Sequence, residues 1–327
     1  MQSIDQLRQA YQAYAKENGF KAYTPQNLYT PLDYILSLGG KQMRPVLLLM
    51  ATELFEGRLE NALPAAYAVE LFHNFSLIHD DIMDEAEIRR GKPTVHSHFG
   101  QNTAILSGDV MLVYAYQYIA QVEAATLPKV MAVFNKTAIG VCEGQQMDMN
   151  FETSAAVTLP EYLRMIELKT SILLHGAMKI GALIANASDA DADAIADFGL
   201  NMGIAFQLMD DYLDSFGDEA SFGKRIGGDI VQNKKTYLYL QAVKLGTAAD
   251  RKELSRWYEQ VVAVDQEAAK IEAVKAIFVH SGATKAIQAE MDNYRDKALA
   301  ALAKLSVSAD RKEMLTTFLN YITQRNH

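Results

Sequence analysis

The chain has 327 residues, half of them apolar, and a formal net charge of −9, with an isoelectric point near 5.3; that balance argues against general attraction to nucleic acid or to an anionic membrane. The single cysteine, Cys142, excludes an internal disulfide framework and is expected to be a buried thiol. No apolar run approaches the roughly 18 residues of a membrane span, and the polar stretch Met1–Lys16 lacks an apolar signal segment, so no transmembrane segment is expected and the reading is cytoplasmic.

Apolar residues at helical spacing predict helices over 3–19, 31–38, 42–56, 62–85, 101–122, 127–151, 159–186, 190–215, 235–246, 248–281, 282–305 and 309–324. Alternating β-branched runs are absent, and no Asn-Gly or Asp-Gly pair separates apolar segments, so strands are not expected. Glycine and proline mark joins at Gly39-Gly40, at Gly91-Lys92-Pro93 and from Gly223 to Gly228. With only 7 prolines and no low-complexity linker, the chain reads as one all-α domain over 1–327.

Two of these helices close on the same acidic pattern, Asp80-Asp81-Ile82-Met83-Asp84 and Asp210-Asp211-Tyr212-Leu213-Asp214. Residues four apart share a helix face, so Asp80 with Asp84, and Asp210 with Asp214, form like-charged pairs that repel. Negative charge is also disfavoured at a helix C-terminus. One such motif reads equally well as a solvated face. Two, each leading into a basic loop, point to a cation and a phosphate, because Mg²⁺ keeps several waters and takes one or two carboxylates together with substrate phosphates. The first loop is Ile88-Arg89-Arg90-Gly91-Lys92-Pro93; the second runs from Phe222-Gly223-Lys224-Arg225 to Asn233-Lys234-Lys235-Thr236. Read alone, Arg225 and Lys235 are solvated neighbours of these groups.

In that order, with Gly39-Gly40-Lys41-Gln42-Met43-Arg44-Pro45 before the first motif, Gly144-Gln145 and Asp148 after it, then Lys169-Thr170 and Phe206-Gln207-Leu208-Met209, the chain resembles the trans-isoprenyl diphosphate synthases, or polyprenyl synthetases. The resemblance implies a single large all-α helical bundle of the isoprenoid synthase type with a central cavity, assembled as a homodimer. It also implies a Mg²⁺-dependent transferase that condenses isopentenyl diphosphate with an allylic diphosphate. By the same resemblance, three Mg²⁺ ions are held by Asp80, Asp84 and Asp210, with Asp81, Asp211 and Asp214 in support. Arg89, Lys169, Lys224 and Lys234 bind the allylic diphosphate. Gly40, Lys41, Arg44, His73 and Arg90 bind isopentenyl diphosphate without metal. Lys169, Thr170, Gln207 and Lys224 act at the reacting carbons.

The resemblance further directs the growing product along the helix that precedes Asp80. Ser76 lies about one turn below Asp80, Phe75 just beneath it, and Phe72 about two turns down. Phe75 and Phe72 form a floor in this reading, with Ser76 small above it, which favours a twenty-carbon product over a fifteen-carbon one. An aromatic on an apolar helix is equally a core residue. Glu70-Leu71-Phe72-His73 has the Glu-x-x-His spacing of a di-iron bundle, but no second copy occurs. Asp189, Asp191 and Asp193 start like a calcium loop, yet Ala194 stands where glycine is required. A class I terpene cyclase would not carry a complete second DDxxD, and a non-catalytic partner subunit commonly lacks one of the two.

Overall fold

The computed structural model describes residues 2–154, 156–218, 226–260 and 262–323, almost entirely helical. The chain divides into two compact units. One comprises residues 1–139, 173–196 and 305–311; the other comprises residues 140–172, 197–304 and 312–327.

The first unit is built around α4 (Leu59–Met83), which packs against α3 (Met43–Leu54) and α6 (Gln101–Ile119). From Ala65 to Phe72, α4 is buried on every side, as a helix apolar all round must be. Glu70 is the one charged residue in that stretch. Gly108 lets α4 and α6 close: a Cβ there would lie 2.3 Å from Nε2 of His79, and that nitrogen instead donates to the Ile105 carbonyl at 3.2 Å.

The second unit includes α8 (Leu159–Ile166), the C-terminal part of α10 (Asp189–Phe216), and, among others, four of the later helices. These are α11 (Gly228–Val231), α12 (Tyr237–Leu245), α14 (Glu267–His280) and α15 (Ala283–Ala303). Its core includes Leu208, Leu238, Val274 and Ile287, all without exposed surface.

The all-α expectation holds, with five differences of detail. Helices α2 (Gln26–Ser37) and α4 start upstream of expectation and contain Pro31 and Pro64; each proline is the sixth residue of its helix and removes one intrahelical N–H bond there. Residues 248–281 break into α13 (Ala248–Tyr258) and α14, with Ala263 extended in a valine-rich stretch of low helix propensity. The predicted helix 159–186 is interrupted by a π-helical segment, Glu167–Ser171. A short hairpin, β1 (Ile88–Arg89) with β2 (Lys92–Pro93), is present where no strand was expected. Cys142 is exposed rather than buried, since its position on α7 (Leu127–Thr153) faces outward.

Gly144 on α7 faces the π-helical segment so closely that a Cβ would lie 2.3 Å from the Lys169 nitrogen, whereas a Cβ on Gly140 would meet only side-chain carbons at 3.4 Å. Gly144→Ala is therefore expected to cost about 1–3 kcal/mol through overpacking. Gly140→Ala should be neutral or gain up to about 1 kcal/mol of helix propensity. Thermal midpoints of the two variants check the contrast.

Candidate active site

In the first unit, Asp84 caps the C-terminus of α4, its N–H bonded to the Asp80 carbonyl at 2.8 Å. Asp84 is exposed, Asp80 half-buried and Asp81 buried. Asp81 does not face the same way as the other two. It accepts a fork from Arg89, Nε to Oδ2 at 2.8 Å and Nη2 to Oδ1 at 2.7 Å. Such bidentate pairing fixes direction as well as charge.

The hairpin delivers Arg89 to that position. Its two central residues, Arg90 and Gly91, have φ of 54° and 73°, as a two-residue I′ turn requires. Arginine occupies the place usually held by asparagine or aspartate, so the usual sequence signal is missing. Successive side chains then diverge: Arg89 reaches Asp81, while the Arg90 guanidinium lies against Gly40, where a Cβ would come within 2.7 Å of its carbon. Gly40, at φ 134°, is thus required both by its backbone and by its neighbour.

Beside this pair, Arg44 Nη1 approaches His73 Nε2 at 3.1 Å. A guanidinium can only donate, so Nε2 accepts and the imidazole is neutral. Burial, then the charges of Arg44, Arg90 and Arg89, hold its pKa well below the ordinary histidine range. Glu70 completes the group, and sequence reasoning gave it no role beyond the Glu-x-x-His spacing. Burial pushes its carboxyl up to about 7, although Arg44, Asn74 and Arg90 pull it down. Asn74 Nδ2 donates to Oε1 at 3.3 Å, while Glu70 Oε2 and Arg44 Nε are buried without a hydrogen-bond partner. The signal in the sequence was a single carboxylate in an otherwise apolar stretch. Lys41 is exposed in the segment before α3.

Further down α4, Phe72 is fully buried, its ring 5.5 Å from that of Phe75 and 5.7 Å from Phe134. Phe75 is half-buried and also meets the ring of His79 at 4.9 Å. The Ser76 hydroxyl bonds back to the His73 carbonyl at 2.9 Å.

In the second unit, Lys169 and Thr170 lie in the π-helical segment, a feature frequent at functional sites. Lys169 Nζ donates to Asp148 Oδ2 at 2.6 Å. Thr170 Oγ1 donates to Gln207 Oε1 at 3.1 Å, and Gln207 Nε2 donates to Asp211 Oδ1 at the same distance. Those two bonds fix the orientation of the amide. The Tyr162 hydroxyl donates to the other oxygen of Asp211. Asp211, like Asp81, is therefore the buried, internally satisfied member of its motif, while Asp210 and Asp214 are half-buried. Asp214 anchors the following loop, its Oδ2 accepting from the Asp229 N–H at 3.0 Å and its carbonyl from Gly227 at 2.6 Å. Lys234 is half-buried just beyond α11. Lys235 is not a solvated neighbour: its ammonium caps the end of α7, bonded to the Phe151 and Ser154 carbonyls at 2.7 Å each. Lys224, Arg225, Phe222 and Gly223 lie outside the described residues.

The donor set suits a hard cation that arrives with its own ligands. Among the described residues no three carboxylate, histidine or cysteine groups cluster tightly enough to enclose an ion by themselves. Burial and then the charge of Asp229, with a smaller contribution from Asp210, push the Asp211 carboxyl up to about 8 despite its hydrogen bonds. The buried amide of Gln145 leaves both its oxygen and its nitrogen without a hydrogen-bond partner, a state that native structures rarely leave unexplained.

The chain is 45% identical over 228 residues to a geranylgeranyl diphosphate synthase of Methanosarcina mazei, covering 69% of this chain and 70% of that protein. It is 35% identical to a geranylfarnesyl diphosphate synthase of Aeropyrum pernix over 94% of this chain and 96% of that one. A crystal structure of a geranylgeranyl pyrophosphate synthase superposes with a TM-score of 0.96 at 44% identity, covering both chains completely, so the all-α prenyl synthase fold is shared. Residues 25–277 match the polyprenyl synthetase family, and with both aspartate motifs intact the chain belongs to that family.

Proposed function

We propose that this enzyme condenses isopentenyl diphosphate with an allylic diphosphate and repeats the step to yield geranylgeranyl diphosphate. The observation that carries the reading is the shared layout of the motifs. In each, the second aspartate is buried and hydrogen-bonded inside the protein, and we assign Asp80 with Asp84, and Asp210 with Asp214, as the carboxylates that meet an external cation.

The allylic C1–O bond breaks and its electron pair leaves with the diphosphate; the isopentenyl double bond attacks C1, and a proton is lost to the released diphosphate. Magnesium, as three ions on the family resemblance, supplies the positive charge that offsets the leaving group. The protein's part is to bind and orient. Arg89, Lys169, Lys224 and Lys234 take the allylic diphosphate. Lys41, Arg44, His73 and Arg90, close to Gly40, take isopentenyl diphosphate, which must stay intact and is better held by fixed cations than by a metal that would activate it. Thr170 and Gln207 supply oriented dipoles near the developing allylic cation, their geometry preset by Asp211 and so requiring no rearrangement during the reaction.

Product length rests on α4. Half-buried Phe75 is the proposed floor, Phe72 stands behind it in the core, and Ser76 leaves room above. Twenty carbons agrees with the name of the Methanosarcina relative; the Aeropyrum relative makes twenty-five carbons a competitor alongside fifteen. A cytosolic homodimer belongs to the same reading, supported by the exposed apolar residues Leu106 and Val113, seven apart on one face of α6. Light scattering tests it.

Three outcomes follow. With Mg²⁺, isopentenyl diphosphate and dimethylallyl or farnesyl diphosphate, the purified protein should form geranylgeranyl diphosphate. Asp80→Ala or Asp210→Ala should lower that turnover by about 10²-fold or more, on the scale of losing an electrostatic stabiliser, with an unchanged circular dichroism spectrum; near-normal turnover refutes the ligand assignment. A cyclised hydrocarbon from farnesyl diphosphate alone would indicate a cyclase instead, and activity only with a second protein would indicate a partner subunit. Phe75→Ala should shift products beyond twenty carbons, read by chromatography, and an unchanged profile at retained activity refutes the floor.

A fourth outcome concerns Glu70. The folded carboxyl holds its proton more tightly than the unfolded one, so its contribution favours the folded state in acid and is lost as pH rises from the ordinary carboxylate range through about 7. Glu70→Gln should therefore flatten the fall in stability between pH 5 and 8 by about 3 kcal/mol at most, measured by denaturant unfolding at several pH values.

A further inference from the structure

The C-terminal helices carry no motif, yet one of their residues grips the loop that bears Lys234. Lys270 on α14 has no exposed surface, a rare situation for lysine without a specific partner. Its Nζ donates to Asn233 Oδ1 at 2.5 Å and to the Val231 carbonyl at 3.4 Å, and lies 5.6 Å from the centre of the Tyr258 ring. These hydrogen-bond partners are neutral, and the Glu267 carboxylate is the opposite charge that acts on the ammonium.

Asn233 is the residue whose conformation ends α11. It has φ 58°, its N–H bonds to the Ile230 carbonyl at 3.2 Å, and the next N–H, that of Lys234, bonds to the Asp229 carbonyl at 2.9 Å. This is a Schellman cap with asparagine in the left-handed position. The Asn233 side chain is thus pinned by Lys270 while its backbone sets where Lys234 departs. The same helix holds the other end of the loop: Gly227, at φ 81°, is so near Ile271 that a Cβ would lie 2.8 Å from that side chain. Asp214 ties the intervening Asp229 N–H to the second aspartate motif at 3.0 Å. The loop from Gly227 to Lys234 is therefore held at one end by a carboxylate of the motif and at the other by a buried ammonium.

We infer that Lys270 is a positioning residue for the allylic diphosphate: through Asn233 it fixes the cap from which Lys234 extends, and so sets affinity for the allylic substrate while leaving isopentenyl diphosphate binding untouched. The inference rests on the proposed role of Lys234. Lys270→Met keeps the volume of the side chain and removes its donors, leaving the Asn233 oxygen buried and unbonded.

Steady-state kinetics of the full chain with Mg²⁺ and both substrates test it. Lys270→Met should raise KM for farnesyl diphosphate about tenfold, equivalent to about 1.4 kcal/mol, with KM for isopentenyl diphosphate within about twofold, as expected when one buried hydrogen bond is lost. Asn233→Gly preserves the left-handed cap but deletes the acceptor. It should give the same split, and Lys270→Met should add nothing in that background, as residues acting through one contact do. An equal rise in both KM values, or an unchanged KM for farnesyl diphosphate in either folded variant, overturns the inference; if Lys270→Met does not fold, Asn233→Gly decides. Amide hydrogen exchange gives a readout independent of turnover. Residues 229–234 should lose protection in Lys270→Met while the rest of α14 does not, and unchanged protection refutes the clamp even if the wild-type chain proves not to be a synthase. Absence of wild-type turnover with that loss of protection would fault the functional reading and not the clamp.

Discussion

Repulsion between carboxylates at the ends of α4 and α10 is the constraint around which the candidate site is organised. Each DDxxD motif concentrates three acids within five residues, and Asp84 stands at a helix C-terminus whose dipole already disfavours it. The protein buries and bonds the second acid of each three internally. It does so by different chemistry in the two units: a guanidinium fork neutralises Asp81, whereas Asp211 receives hydrogen bonds from the neutral groups of Tyr162 and Gln207. A formal charge pair removes the charge of Asp81 from the local field. Neutral donors only partly offset the burial of Asp211 and the charges of Asp229 and Asp210, which together push this carboxyl up to about 8.

A second balance holds in the cluster around Glu70. Burial and then the charge of Arg90 weaken the hold of Arg44 on its proton, burial and then the charge of Arg89 weaken that of Arg90, and a neutral imidazole accepts from Arg44. Glu70 is the buried counter-charge that makes such crowding tolerable. A buried carboxylate with one oxygen unbonded is costly by itself, so its presence in an apolar helix makes sense only in the company of those guanidinium groups.

Much of this was legible in the chain before any fold was known. The helices came from apolar periodicity, and the motif aspartates and basic residues from spacing and order. What stayed hidden were partners fixed by tertiary approach. Tyr162 and Asp211 are 49 residues apart, Lys270 and Asn233 are 37 apart, and neither pair has a local pattern that announces it. The π-helical segment at Glu167–Ser171 has an ordinary helical composition; the tight seat of Gly144 against Lys169 belongs to packing and not to propensity. The hairpin was missed for a chemical reason, since Arg90 adopts a left-handed conformation that asparagine normally marks. Cys142 was expected inside because isolated thiols usually are, and only the facing of α7 decides otherwise.

The two-residue turn at Arg90-Gly91 also limits how this stretch can vary. Consecutive side chains on a strand point to opposite faces, and a shift of one residue exchanges them. An insertion or deletion here would turn Arg89 away from Asp81 and present Arg90 in its stead, withdrawing the guanidinium from Gly40 in the same event. The loop is thus frozen in length although it is exposed.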